Sequence, residues 1–176
     1  MYTYAAPQVD RVSFVSLVQT DVLHAEVVHT SQLRARVEQC LHSREPLAIV
    51  QAVSEYLPYL LGLYDCVQRD TILLRDDVHL TWRSMLVSSK FRLHGLLSEV
   101  CLMHMLYASS LRAEAATIIE ALGAYELGAH DRKACDDRMR VAIDLLCRAS
   151  GVCEYVATQL LPTYPAPPSK SAYPPE

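Results

Sequence analysis

The sequence predicts a mainly α fold, an antiparallel helical bundle carrying a small β clip near residues 71–83. Three observations lead there. Leu93–Ala116 places Leu93, Leu96, Leu97, Val100, Cys101, Met103, Met105, Leu106, Tyr107 and Leu111 around nearly every side of a helix. A helix apolar all round is packed on several sides at once. Apolar residues elsewhere recur at steps of three and four, the helical period. Finally, 51% of residues are hydrophobic while only 5 are glycine, a composition suited to helices around a real core.

The elements follow in chain order. Met1–Asp10 reads as an extended arm and Phe14–Leu41 as helical, in two pieces, with Leu33, Val37 and Leu41 four apart. Pro46 suits the first turn of a second helix, which carries Leu47, Val50, Val53, Leu57, Leu60, Leu61 and Tyr64. Pro58 inside it removes a backbone donor, so a kink or break is expected near Tyr56–Leu57. Thr71–Leu74 is β-prone, and Val78, Leu80 and Trp82 alternate with His79 and Thr81. With Arg75–Asp77 as a turn, the two runs predict a hairpin-like clip anchored by Trp82.

The central helix spans 93–116, where Ser98, Glu99 and His104 interrupt its apolar run. The uninterrupted part falls short of the roughly 20 residues a bilayer needs, so no membrane span is read there. Thr117–Ala134 is expected to be less regular, weakened by Gly123 and Gly128. Asp136 or Asp137 can cap a last helix, Arg138–Leu161. Its residues Met139, Ile143, Leu146, Ser150, Cys153, Ala157 and Leu160 alternate steps of four and three, the spacing of a seam for a neighbouring helix. The sequence divides into a helical domain at 1–162 and a tail at 163–176 that holds most of the nine prolines. Such a tail is extended, serving as a linker or as a peptide ligand through Tyr164, Pro165 and Pro168, the last two in PxxP spacing.

The net charge of −4 argues against general nucleic-acid binding, which needs a basic surplus. The 6 cysteines form no CxxC pair and read as reduced, buried thiols of a cytoplasmic protein. His24 and His29 stand five apart with Glu26 displaced, which does not fit a zinc helix. No phosphate-cradling loop, nucleophile elbow or zinc-module spacing is present in the sequence. The expectation is therefore a protein with no catalytic residues, metal or cofactor.

Three ordered segments resemble the Bro-one domain family of ALIX, rhophilin and their relatives. They are Tyr56–Tyr64 (YLPYLLGLY), Leu80–Leu86 (LTWRSML) followed by the Glu99–Ala113 helix, and Arg148–Val156 (RASGVCEYV) leading into Leu160–Pro162. Met103-His104 stands where the family carries Phe-Asn, and the connector 114–137 is longer than usual. The resemblance implies a tetratricopeptide-like solenoid, of which this chain is an N-terminal part or a divergent short member. It also implies a non-enzymatic scaffold of endosomal (multivesicular-body) sorting, cytoplasmic and endosome-associated, that binds the amphipathic C-terminal helix of an ESCRT-III subunit. Arg140 is the position nearest a groove-lining basic residue of the family. The alternative is a helical interaction module with no ESCRT role, working through the Tyr/Pro tail.

Overall fold

The computed structural model describes residues 8–9, 12–19, 23–75, 79–83, 90–123 and 132–164; at 8, 9, 80, 82, 83 and 90–92 it describes the backbone only. Four α-helices carry the described residues: α1 (His24–Ser43), α2 (Pro46–Gln68), α3 (Leu96–Gly123) and α4 (Arg132–Tyr155). Each packs on the next in the sequence, α1 on α2, α2 on α3 and α3 on α4. A π-turn at Val156–Leu160 and a 3-10 turn at Leu161–Thr163 close the described chain.

Helix α1 buries Val27, Thr30, Arg34, Val37 and Leu41, steps of three and four along one face. Helix α2 opens on Pro46 and buries Ile49, Val50, Ala52, Val53, Tyr56, Leu60 and Leu63. The expected break at Pro58 does not occur, because α2 runs through it. Pro58 and Ser54, whose carbonyl loses its helical donor, are both exposed, so water can satisfy that carbonyl. By length and composition α2 could cross a membrane. Here its apolar face lies in the core with α1 and α3.

The β segment differs from the expected clip. Strands β1 (Gln8–Val9), β2 (His79–Arg83) and β3 (Lys90–His94) form one antiparallel sheet in that order. Trp82 pairs with Phe91 on one side and Val9 on the other. Among the described residues, Thr71–Leu74 does not pair with the β2 run His79–Trp82, and Val78 lies outside them. Instead Leu74 bridges Val18, the Arg75 amide donates to the Leu17 carbonyl at 2.7 Å, and Ile72 is buried in the helical core. Burial of Ile72 holds this run against the helices and leaves β2 to pair with β3. The Trp82 side chain, expected to anchor the clip, lies outside the described residues.

Helix α3 begins after Gly95, whose φ of +81° turns the chain in a conformation that favours glycine. It continues to Gly123, past the Ala116 limit expected, so 117–123 is regular helix. The rest of the expected irregular connector, 124–131, lies outside the described residues. Helix α4 starts at Arg132, six residues before the expected Arg138.

The three polar residues that interrupt the apolar run of α3 are all buried and all partnered. Ser98 Oγ donates to the His94 carbonyl at 2.6 Å. Its single proton is then spent, so the Tyr164 hydroxyl donates to Ser98 at 2.7 Å. His104 Nδ1 donates to the Val100 carbonyl at 2.7 Å, and its ring lies 5.4 Å from that of Tyr155 on α4. Glu99 accepts from Arg34 Nε at 3.0 Å, with the two side chains 0% and 1% exposed. This ion pair joins α1 to α3 within the core.

Tyr56 of α2 lies fully buried in the same interior, with its hydroxyl beside the Arg34–Glu99 pair. Burial first, and then the negative charge of Glu99, push that hydroxyl well above the ordinary tyrosine value. The folded chain thus holds the tyrosine proton more tightly than the unfolded chain does. This contribution is complete below about pH 10, where the unfolded tyrosine begins to titrate, and is lost as pH rises further. Urea denaturation between pH 9 and 11 is expected to show wild-type stability falling more steeply than that of Tyr56→Phe. Equal slopes would mean that Tyr56 is not a group linking folding to alkaline pH.

Candidate functional site

Helices α3 and α4 meet through small residues. Ala108, Leu111 and Ala115 of α3 pack on Ala142, Leu145 and Ala149 of α4, with Ile118 and Val152 at the margin. Alanines on both sides let the backbones approach closely, which favours this stripe over a bulkier one. The seam expected on α4 is therefore not the one used. Met139, Ile143 and Leu146 stay 41%, 53% and 39% exposed, and Ser150, Cys153 and Ala157 are exposed too; only Leu160 of that set is buried.

At 3.6 residues per turn, the exposed stripe of α4 lies about a quarter-turn from the stripe that meets α3. On α3, Met105 and Ile119 are 44% and 41% exposed, and with Arg112 they stand seven apart, on one line of the helix. That line is rotated from the α4-facing stripe by a similar amount. Because the two helices run antiparallel, both rotations point to the same side. Met105, Ile119, Met139, Ile143 and Leu146 thus share one apolar face, which no described element covers. Exposed apolar residues gathered this way mark interaction surfaces more often than isolated ones do. The seven-residue spacing of Met105, Arg112 and Ile119 is the signal in the sequence that identifies the α3 half.

Charges border this face. Arg140, the expected partner contact, is 79% exposed and lies 3.7 Å from Asp137, a loose pair one turn away. It therefore stands beside the apolar stripe, not inside a groove. Arg148 turns the other way and holds the Tyr107 hydroxyl at 2.5 Å, with Asp144 at 3.9 Å. Tyr164, expected in the tail as a ligand, packs against the core and bonds Ser98, so the fold itself engages it. Pro165 and Pro168 lie outside the described residues.

A concavity of about 210 Å³ opens between α1 and α2. Val27, Pro58, Gly62, Leu63 and Ile72 line it, with Glu26 among its polar neighbours. His29 and Tyr59 stack edge-to-face nearby at 4.7 Å. Leu23, also in its wall, sits at φ 61°, a left-handed conformation that costs a leucine energy.

The described residues contain no cluster of three metal-ligating side chains. Cysteines 40, 66, 101 and 135 are partly buried, whereas Cys147 and Cys153 are exposed, so the expectation of buried thiols fails at those two. Burial raises the Cys101 thiol above its ordinary value, which disfavours the nucleophilic thiolate.

A helical layer with an uncovered apolar face defines a class, a helical protein-binding scaffold. The chain is 28% identical over 181 aligned residues to the pH-response regulator protein palC of Cryptococcus neoformans var. neoformans serotype D (strain B-3501A). The match covers 89% of this chain and 37% of that relative, so the chain spans little more than a third of the relative's length. No family profile and no solved structure matches the chain. Together with the helical fold, the similarity supports a helical protein-interaction role.

The two stripes of α4 predict opposite responses to truncation. Leu145→Ala is expected to cost about 2–4 kcal/mol, the range for emptying a buried leucine site. Ile143→Ala, at low protein concentration, is expected to stay within about 0.5 kcal/mol of wild type. Thermal or urea melting measures both. A larger loss at Ile143 than at Leu145 would reverse the assignment of the faces.

Proposed function

We propose that this chain is a non-enzymatic protein-interaction scaffold of Bro-one type whose α3–α4 face receives an amphipathic helix. The observation that carries the reading is the apolar stripe Met139–Ile143–Leu146, continued by Met105 and Ile119. A helix laid on such a surface inserts anchors at i, i+3, i+4 and i+7. Arg140 at the border favours an acidic helix, steering its approach more than tightening its grip.

The motifs that resemble the Bro-one family favour the C-terminal helix of an ESCRT-III subunit as that partner. They also favour a tetratricopeptide-like array in a cytoplasmic, endosome-associated protein. The similarity to a pH-response regulator supports a scaffold that takes part in a pH response. The alternative, in which the Tyr/Pro tail is the ligand, loses support at Tyr164, whose hydroxyl is engaged by Ser98.

Fluorescence anisotropy with labelled C-terminal helices of ESCRT-III subunits tests the reading. Micromolar binding is expected, weakened at least about tenfold by Ile143→Asp with Leu146→Asp while helical circular dichroism is unchanged. Arg140→Glu should weaken it further in low salt than in high salt. No binding by a folded chain, or binding indifferent to these substitutions, would refute the proposal.

A further inference from the structure

We infer that the α3–α4 face is self-complementary and that, when no partner helix is bound, it takes α4 of a second copy running antiparallel. The inference rests on the face described above and not on the identity of its heterologous partner.

The exposed stripe has the spacing of a coiled-coil seam. Ile143 and Ser150 occupy a positions, and Met139, Leu146 and Cys153 occupy d positions. Arg140, Cys147 and Glu154 then fall at e, all exposed. The g positions are Ala142 and Ala149, already buried against α3. In a parallel pair, e of one helix meets g of the other, which would press the charged flank of each α4 on the other copy's α3. In an antiparallel pair, e meets e and g meets g, so the charged flanks face each other at the solvent edge.

The charges also select the register. When Ile143 packs on Cys153 of the second copy and Leu146 on Ser150, Arg140 faces Glu154 of that copy, and two-fold symmetry makes this pair twice. The same alignment brings the two Cys147 side chains together near the axis. A shift of one heptad either way sets Arg140 or Glu154 against Cys147 and loses both pairs. The quarter-turn between the two stripes of α4 is the geometry of a four-helix bundle, in which each helix has two neighbours. A two-fold contact of this kind uses one patch on both copies. Binding of a foreign helix would then require displacement of the second copy.

Sedimentation equilibrium of the full chain, with no partner present, tests this. A reversible dimer is expected. Arg140→Glu and Glu154→Arg should each weaken it about tenfold, since each reverses one member of two symmetric pairs. The double exchange should restore it. A short bismaleimide should link Cys147 to Cys147, and Cys147→Ser should abolish the product. All these positions are exposed, and circular dichroism checks that the variants fold. A monomer at every concentration, a dimer indifferent to both single reversals, or a double exchange that fails to rescue would overturn the inference. Peptide binding reads the proposed function separately, so failure of either leaves the other standing.

Discussion

The fold turns on one buried ion pair. Arg34 of α1 and Glu99 of α3 come from positions 65 residues apart and are almost wholly removed from water. Desolvating two charges is expensive, and their attraction offsets that cost only while the geometry holds. The pair therefore constrains where α1 can sit relative to α3. Only one direct hydrogen bond joins them, with Arg34 Nη2 and Glu99 Oε2 left without direct partners, so little margin exists for displacement.

The same logic extends along α3. Ser98 secures the closing turn through Tyr164, and His104 lies against Tyr155 of α4. Apolar contacts supply most of the driving force for packing, but they tolerate sliding and repacking. Directional contacts at Ser98, Glu99 and His104 remove that freedom, each toward a different neighbour. A helix apolar on nearly every side is thereby located by its few polar residues. Helix α4, tied to this layer along a narrow alanine-rich stripe, keeps its bulkier apolar side outside.

Much of this was legible in the sequence. Pro46 marked the start of α2, and the all-round apolar run of α3 identified the helix that touches two others. Other features were hidden for physical reasons. A charged residue on an amphipathic helix reads as solvated, and nothing local to Arg34 reveals a carboxylate on α3. On α4 both stripes have helical spacing, and hydrophobic size favoured the one with Met139, Ile143 and Leu146. Close packing instead rewarded Ala142, Leu145 and Ala149, whose small side chains bring the axes together. The strand partner of β2 was visible in the alternation of Lys90-Phe-Arg-Leu-His, yet the nearer β-prone run at Thr71–Leu74 competed for the assignment. Of the candidate contacts, Arg140 does border the exposed face, whereas Tyr164 belongs to the fold.

The molecule divides into an interior set by the α1–α3 ion pair and an outer helix with one apolar face uncovered. The most direct test is a double-mutant cycle on that pair, with Arg34→Met, Glu99→Leu and both together, measured by urea denaturation. Each single change is expected to cost about 3–5 kcal/mol by stranding a buried charge, and the double to recover most of that loss. Additive costs, with the double as destabilised as the sum of the singles, would contradict the claim that this pair governs the packing of the layer.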